Sequence, residues 1–515
     1  MSIDFLRVHG FTEDPFASTN AADEPLIDQY FVAPPFFPAV IGDPSRPKST
    51  IVFAPRGGGK TAQKIMIEKA GAQSPDYLCI SYDRFPTEGI PASGVASQQF
   101  HLTNISRIIL IAYLLKVETD PQKFEKLDSA SKKLIIDLSR ELLGSISSEK
   151  YREALNSIKT FGDKAYDVWE KYGGLVRGLV NSVAERFEFG SIEGDLKAPK
   201  QSTESIRFKF DTLVAASPAL GFQSIYILVD RVDELTFTAN NAERAFEFLR
   251  QVLIDLPLLE TPRVAFKFFL WDQTRDAYLE AGGRPDRLLE YSLDWSPEEL
   301  GKVLSKRLET YSGGKVSHFG ELLSDNGGFD VHKMIAHFAH SSPRDMIRIC
   351  KRVVDEHTRS GVYSGKIPFR TVKSALLTFS GERARELYGT QVTELKKIAD
   401  LNFTIGTVAN EVFRVSHQAA RSKVQKWQAS GAVVKIGDVP NPGNRPQYLY
   451  GIVDPRLALA INADVSVEDA LDSFFIICPH CSSLRIAYEG EITCPDCQGN
   501  FRAEAALTLG TVCRN

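Results

Sequence analysis

A chain that reads Ile51-Val52-Phe53-Ala54-Pro55-Arg56-Gly57-Gly58-Gly59-Lys60-Thr61 has few ways to fold around those residues. The β-branched and aromatic run before the glycines predicts a buried strand, and the stretch from Lys60 to Ala70 predicts a helix. Glycines between a strand and a helix let successive backbone N–H groups face one centre, where the helix N-terminus adds partial positive charge. The result is a cradle for phosphate oxygens, built from Pro55, Arg56, Gly57, Gly58, Gly59, Lys60 and Thr61. In G-x-x-x-x-G-K-[ST] the lysine reaches the β- and γ-phosphates and the hydroxyl binds Mg²⁺. Ala54 stands where that pattern has its first glycine, and a small residue suffices there.

Four further runs predict strands: 76–82, 224–229, 264–270 and a short one at 288–293. Apolar runs separated by helical stretches predict an α/β fold, a P-loop NTPase with a parallel sheet. The run 224–229 leads into Asp230-Arg231-Val232-Asp233-Glu234. A carboxylate at the end of such a strand stands beside the loop lysine, so Asp230 is the candidate for the Mg²⁺ water shell. Glu234, with Asp233 beside it, is the candidate to orient or deprotonate an attacking water.

The remaining organisation follows from composition and periodicity. Residues 1–48, rich in Pro, Phe and acidic residues, form a lead-in expected to wrap on the domain that follows. A P-loop domain spans 49–295, with a helical insertion at about 98–207; a separate helical domain is the alternative reading of that stretch. The polar run 195–205 predicts an exposed loop. A helical lid domain is expected over 296–390, starting at the Ser296 cap and Pro297.

Residues 391–462 read as a winged-helix domain: one helix over 408–413, a second from Ser416, and strands at 433–436 and 448–452 around the turn-rich 437–446. The second helix carries His417, Gln418, Arg421, Ser422, Lys423, Gln425, Lys426 and Trp427, residue types suited to a major groove. The segment Val392 to Asn462 holds nine Lys and Arg against five Asp and Glu, a local excess in a chain of net charge −4. Duplex DNA is the partner this suggests, with protein contact or service in the lid as alternatives.

Residues 470–505 contain Cys478-Pro479-His480-Cys481 and Cys494-Pro495-Asp496-Cys497, a spacing that predicts a zinc ribbon with four thiolates around structural Zn²⁺. Cys79 and Cys350 lie in apolar segments and are expected in the core; Cys513 is left over. Hydrophobic residues at 43% and charged residues at 24% exclude a disordered or fibrous chain. The longest strongly apolar runs, such as Ile108 to Leu115, fall short of a membrane span. With no secretory leader visible in MSIDFLRVHGFTEDPF, a cytoplasmic protein is expected.

The two nucleotide motifs resemble those of the AAA+ and STAND superclass, whose NACHT-type members carry hhhhD-G-h-D-E where this chain has Val229-Asp230-Arg231-Val232-Asp233-Glu234. Gly10-Phe11-Thr12-Glu13-Asp14-Pro15-Phe16 is similar to the entry segment of accessory ATPases in bacterial transposition and secretion systems. The resemblance implies ATP as ligand and hydrolase activity. It also implies a γ-phosphate sensor at Trp271-Asp272-Gln273, an arginine finger at Arg284 or Arg287 acting on a neighbouring subunit, and a lid sensor at Arg344 in Ser342-Pro343-Arg344-Asp345. A homo-oligomer or partner protein is implied too, in bacterial DNA transactions or antiviral, anti-phage defence. A nucleotide-gated scaffold with negligible turnover is the alternative. A small-molecule or polynucleotide kinase shares the loop but leaves the lid and the tail without a place.

Overall fold

Strand β1 (Thr50–Ala54) is buried along its whole length, because every residue in it is apolar or, like Thr50, β-branched and compact. The computed structural model describes all residues except 1, 75, 87–89, 91–93, 145, 162–163, 187–204, 240, 360, 362–364, 399, 441–445, 463, 489–490, 495–496 and 515. The expected loop at 195–205, apart from Ser205, lies outside the described residues, as do 441–445 of the turn-rich segment and Pro495 and Asp496.

The chain forms two units, Ala33–Leu293 and a second made of Met1–Val32 with Asp294–Asn515. In the first, β2 (Tyr77–Tyr82), β3 (Ser224–Val229), β4 (Val264–Trp271) and β5 (Leu289–Ser292) join β1 in the order β2-β3-β4-β1-β5. Every pairing is parallel. The expected α/β class with a parallel sheet is the observed one. Strands β1 to β4 are covered on both faces, as parallel strands require, while the edge strand β5 is partly exposed.

Helix α1 (Lys60–Gln73) follows β1, and helix α2 (Gln98–Thr119) is the spine of the inserted segment. α2 is long and apolar enough to pass for a membrane span, longer than the runs in the sequence suggest, yet 78% of its most apolar window is buried within the structure. Its Ile109, Ile111 and Leu114 share one continuous core with Ile51, Phe53 and Ile227 of the sheet. The insertion also covers the open edge of β2: Lys159 N donates to Cys79 O at 3.0 Å, and Cys79 N donates to Thr160 Oγ1 at 3.0 Å. An uncovered strand edge is a template for aggregation, and here it is paired.

The second unit corrects one expectation. Residues 1–32 group with the helices after Asp294, while 33–48 of the expected lead-in fall in the sheet unit, where Tyr226 Oη donates to Ile41 O at 2.9 Å. The anchor is Arg307 on α3 (Pro297–Ser312), which is 2% exposed. Its guanidinium pairs with Glu24 at 2.6 Å, donates to Tyr30 Oη at 2.6 Å and also reaches the carbonyl of Pro15. Tyr311 Oη donates to Glu24 at 2.7 Å, completing the carboxylate's partners. A buried ion pair is tolerated only with such full satisfaction. On α4 (Pro343–Arg359), Lys351 pairs with Asp14 at 3.1 Å.

A second buried network ties α4 to α5 (Phe369–Tyr388) and to a later helix, α7 (Pro455–Ile461). Asp345 of α4 accepts from Arg383 of α5 at 2.8 Å and pairs with Arg456 of α7. Arg456 in turn grips Asp454 at 2.8 Å, and Tyr388 Oη donates to Asp454 at 2.9 Å. Burial alone would favour the neutral acid at Asp454, but Arg456 holds its carboxyl well below the usual carboxylate range.

Between α5 and α7 the chain makes β6 (Asn402–Thr404), a helical turn Thr407–Val412, helix α6 (His417–Ala429), and the hairpin β7 (Val433–Val439) and β8 (Gln447–Ile452). The three strands form an antiparallel sheet in the order β6-β8-β7. Ser416 caps α6 by accepting from Ala419 N at 3.2 Å, and Trp427 anchors its inner face with no exposed surface. The tail contributes β9 (Phe475–Ile477), β10 (Leu484–Ile486), β11 (Glu491–Thr493), β12 (Asn500–Arg502) and β13 (Leu507–Thr508), in two small sheets.

Candidate nucleotide site and cysteine cluster

The loop after β1 turns into α1 through Gly59, whose φ of +100° lies in the left-handed region that side chains avoid. A Cβ at Gly58 would sit 3.0 Å from the carbonyl oxygen of Pro55, so a side chain there would force the turn to give way. Lys60 curls back over the loop, donating to Ala54 O at 3.0 Å and Pro55 O at 3.1 Å. One residue on, Thr61 Oγ1 donates to Asp230 Oδ2 at 2.9 Å. The glycine loop and the acidic end of β3 therefore meet, although β4 lies between their strands.

Asp230 is buried, and burial pushes its carboxyl above the ordinary range against the opposing pull of Lys64, Thr61 and Lys60. A buried acid with a hydroxyl beside it suits a divalent cation, whose charge would restore the carboxylate. Lys64, one turn along α1, is itself buried between Glu68 at 3.0 Å and Asp83 at the end of β2. Burial disfavours the charge on Asp83, but Lys64 outweighs it and holds that carboxyl low. No sequence motif marks Lys64 or Asp83.

The two acids after Asp230 part company. Arg56 Nε donates to Asp233 Oδ2 at 2.9 Å and Arg56 Nη2 to Asp233 O at 2.7 Å, with the guanidinium 4.4 Å above the Trp271 ring. Glu234 is 60% exposed and only loosely paired with Arg231, at 3.8 Å. Arg231 has φ +62°, so the residue that stands where the NACHT-type pattern has glycine does adopt a glycine's conformation, at a cost of about 1 kcal/mol.

Asp272 follows β4, and since Ala54 pairs with Trp271 in the sheet register, it emerges next to the glycine loop. It is exposed, and its carboxylate accepts from Gln273 N at 2.8 Å. Arg284 and Arg287 are exposed on the approach to β5, paired with Asp286 at 2.6 Å and Glu260 at 2.6 Å respectively. Arg344 sits half-buried in the first turn of α4, in the other unit.

In the tail, the sulfurs of Cys478, Cys481, Cys494 and Cys497 all lie within 4.8 Å of one another, the metal-ligand cluster found among the described residues. Cys478 and Cys497 are 3.8 Å apart, and Cys481 and Cys494 3.5 Å. Tetrahedral Zn–S bonds of about 2.3 Å place sulfurs roughly 3.8 Å apart, so the four thiols fit zinc. Arg485 donates to Cys494 Sγ at 3.0 Å, a cation against one of the four sulfurs.

The first unit has a P-loop fold. No protein-family model and no curated protein matches the chain. Among solved structures it is similar to the Aeropyrum pernix ORC1 protein in complex with DNA, at 12% identity over 88% of this chain and 98% of that one, with a TM-score of 0.36. It is similar also to the Aeropyrum pernix ORC2 protein in its ADPNP–ADP complexes, at 10% identity over 86% and 97%, TM-score 0.39. A third is Cdc6p from Pyrobaculum aerophilum, at 11% identity over 88% and 99%, TM-score 0.33. Likenesses this distant bear on neither activity nor partners.

Proposed function

We propose that the chain is an ATPase of the AAA+/STAND type that couples ATP binding and hydrolysis to assembly or to a conformational switch. The observation that carries this reading is the 2.9 Å contact of Thr61 with the buried Asp230 at the mouth of the glycine loop. Thr61 and Asp230 would hold Mg²⁺, which supplies charge neutralisation at the phosphates. Lys60 and the loop N–H groups bind the phosphates, Asp272 senses the γ-phosphate, and the exposed Glu234 takes the proton of the attacking water. Arg287 serves a neighbouring subunit and Arg344 the lid. The bacterial DNA-transaction or anti-phage setting is taken from the family resemblance.

Glu234→Gln keeps the shape of the side chain but accepts no proton. It is expected to bind ATP normally while turnover falls by about 100-fold or more, since general-base catalysis supplies that much. Phosphate release and calorimetry on the same preparation check both. Turnover at the wild-type rate would remove Glu234 from the role. A wild-type protein that binds ATP but never hydrolyses it, with or without duplex DNA, would favour the gated scaffold instead.

We further propose that residues 391–462 act as a winged helix on duplex DNA. In support, α6 exposes His417, Gln418, Arg421, Ser422, Gln425 and Lys426 on its outer face. Lys423 is set apart from them by its pairing with Glu394, which also accepts from Trp427 Nε1 at 3.0 Å. Arg421 and Gln425 lie one turn apart. Replacing both with Ala should weaken a gel shift and flatten its salt dependence, leaving basal ATP hydrolysis intact. If the intact protein shifts no duplex with or without ATP, the module contacts protein.

A further inference from the structure

Arg56 lies inside the glycine loop, at a position where the phosphate-binding pattern makes no demand on the side chain. Its guanidinium reaches to the segment after β3, where it meets Asp233 twice, at the carboxylate (2.9 Å) and at the backbone carbonyl (2.7 Å). Its face lies 4.4 Å above Trp271, the last residue of β4. One side chain thus joins three segments of the proposed nucleotide site: its own loop, the turn carrying Glu234, and the strand end that precedes Asp272. Two-point contact from a planar guanidinium fixes orientation as well as distance, which a point charge does not. The side chain of Asp233 is 9% exposed and that of Arg56 32%, so the carboxylate end of the pair is the shielded one.

We infer that Arg56 and Asp233 form a positioning clamp that sets Glu234 relative to the glycine loop, and that Asp233 is the clamp's anion and not a second general base. The inference rests on the proposed ATPase reading and deepens it. Glu234 follows Asp233 directly, and the backbone oxygen of Asp233 is held by Arg56, so the peptide leading into Glu234 is fixed to the loop that would carry the phosphates. Filling of the loop would then be felt at the base through one rigid connection.

The experiment compares Arg56→Ala, Arg56→Lys, Asp233→Ala and the double Arg56→Ala/Asp233→Ala with wild type and with Lys60→Ala. Steady-state hydrolysis gives kcat, and a fluorescent ATP analogue gives Kd separately. The clamp predicts a kcat loss of tenfold or more in Arg56→Ala with Kd changed less than threefold. It predicts partial rescue by Arg56→Lys and a double variant no slower than the slower single one. Multiplicative losses in the double, or an Arg56→Ala defect confined to Kd, would overturn it, the second because it would place the guanidinium on phosphate. A second readout does not depend on turnover. Iodide quenching of Trp271, isolated by difference against Trp271→Phe, should rise equally in Arg56→Ala and Asp233→Ala. If wild type does not hydrolyse ATP but this quenching pattern holds, the ATPase reading fails and the clamp stands; if quenching is unchanged in both variants, the clamp fails whatever the activity.

Discussion

Stripping zinc from the C-terminal ribbon will melt residues 475–502 while ATP binding by the sheet unit survives. The ribbon's buried cluster consists of Ile476, Cys478, Ile492, Cys494 and Phe501, and two of those five are metal ligands. A core that small cannot repay chain entropy, so the metal must supply the folding energy. For zinc-finger peptides that energy is about 10–16 kcal/mol, larger than any single side-chain contact in this protein can contribute. Elemental analysis should find one zinc per chain. Cys494→Ser together with Cys497→Ser should lose it and raise hydrogen exchange across β9 to β12 and in β13, which pairs with β9. A purified protein without zinc, or a double variant that keeps both metal and protection, would contradict the assignment. A further consequence reaches β7, because Tyr488 Oη donates to Ile436 O at 2.8 Å and should release it when the ribbon opens.

Asp345→Ala is the second change expected to have a large effect. The carboxylate is fully buried and serves both Arg383 at 2.8 Å and Arg456, the latter only 4% exposed. Removing it leaves guanidinium charge in the interior facing Asp454 alone, and breaking one partner of a buried pair typically costs about 3–5 kcal/mol. The urea midpoint of the unit formed by residues 1–32 and 294–515 should fall accordingly. Asp345→Leu combined with Arg456→Met and Asp454→Asn should recover part of the loss, because the buried charges are then removed together and Asp454 is not left as an unpaired carboxylate beside the missing Arg456. A loss below about 1 kcal/mol in Asp345→Ala would mean water reaches the network.

The features legible in the sequence were those in which chemistry is written locally. The glycine loop, the acid closing β3 and the paired C-x-x-C knuckles each depend on residues a few positions apart. The sheet was legible for the same reason: strands buried on both faces leave apolar runs. What sequence did not disclose depends on partners far along the chain. Glu24 finds Arg307 283 positions away and Asp233 finds Arg56 177 positions away, and in neither case does spacing announce the pair. Residues 1–32 of the lead-in were therefore expected with the sheet domain, where only 33–48 fall, because adjacency in sequence was the only available guide. Among the acids, Asp233 and Glu234 look alike as letters, and only the guanidinium of Arg56 separates them. Likewise Lys423 counts as a positive charge in the local excess, yet it faces Glu394 at a distance short enough to neutralise it.

The discontinuous second unit has a consequence for biogenesis. Glu24, Phe5 and Leu6 leave the ribosome long before α3 exists, and Arg307, the anchor of Glu24, follows it by 283 residues. At roughly 5–20 residues per second, the N-terminal segment waits about 15 to 60 s for its partner while the whole sheet unit is made and folds. For that interval a buried-type acid and the apolar side chains of Phe5 and Leu6 stand open to solvent, which makes residues 2–32 a natural handhold for a chaperone.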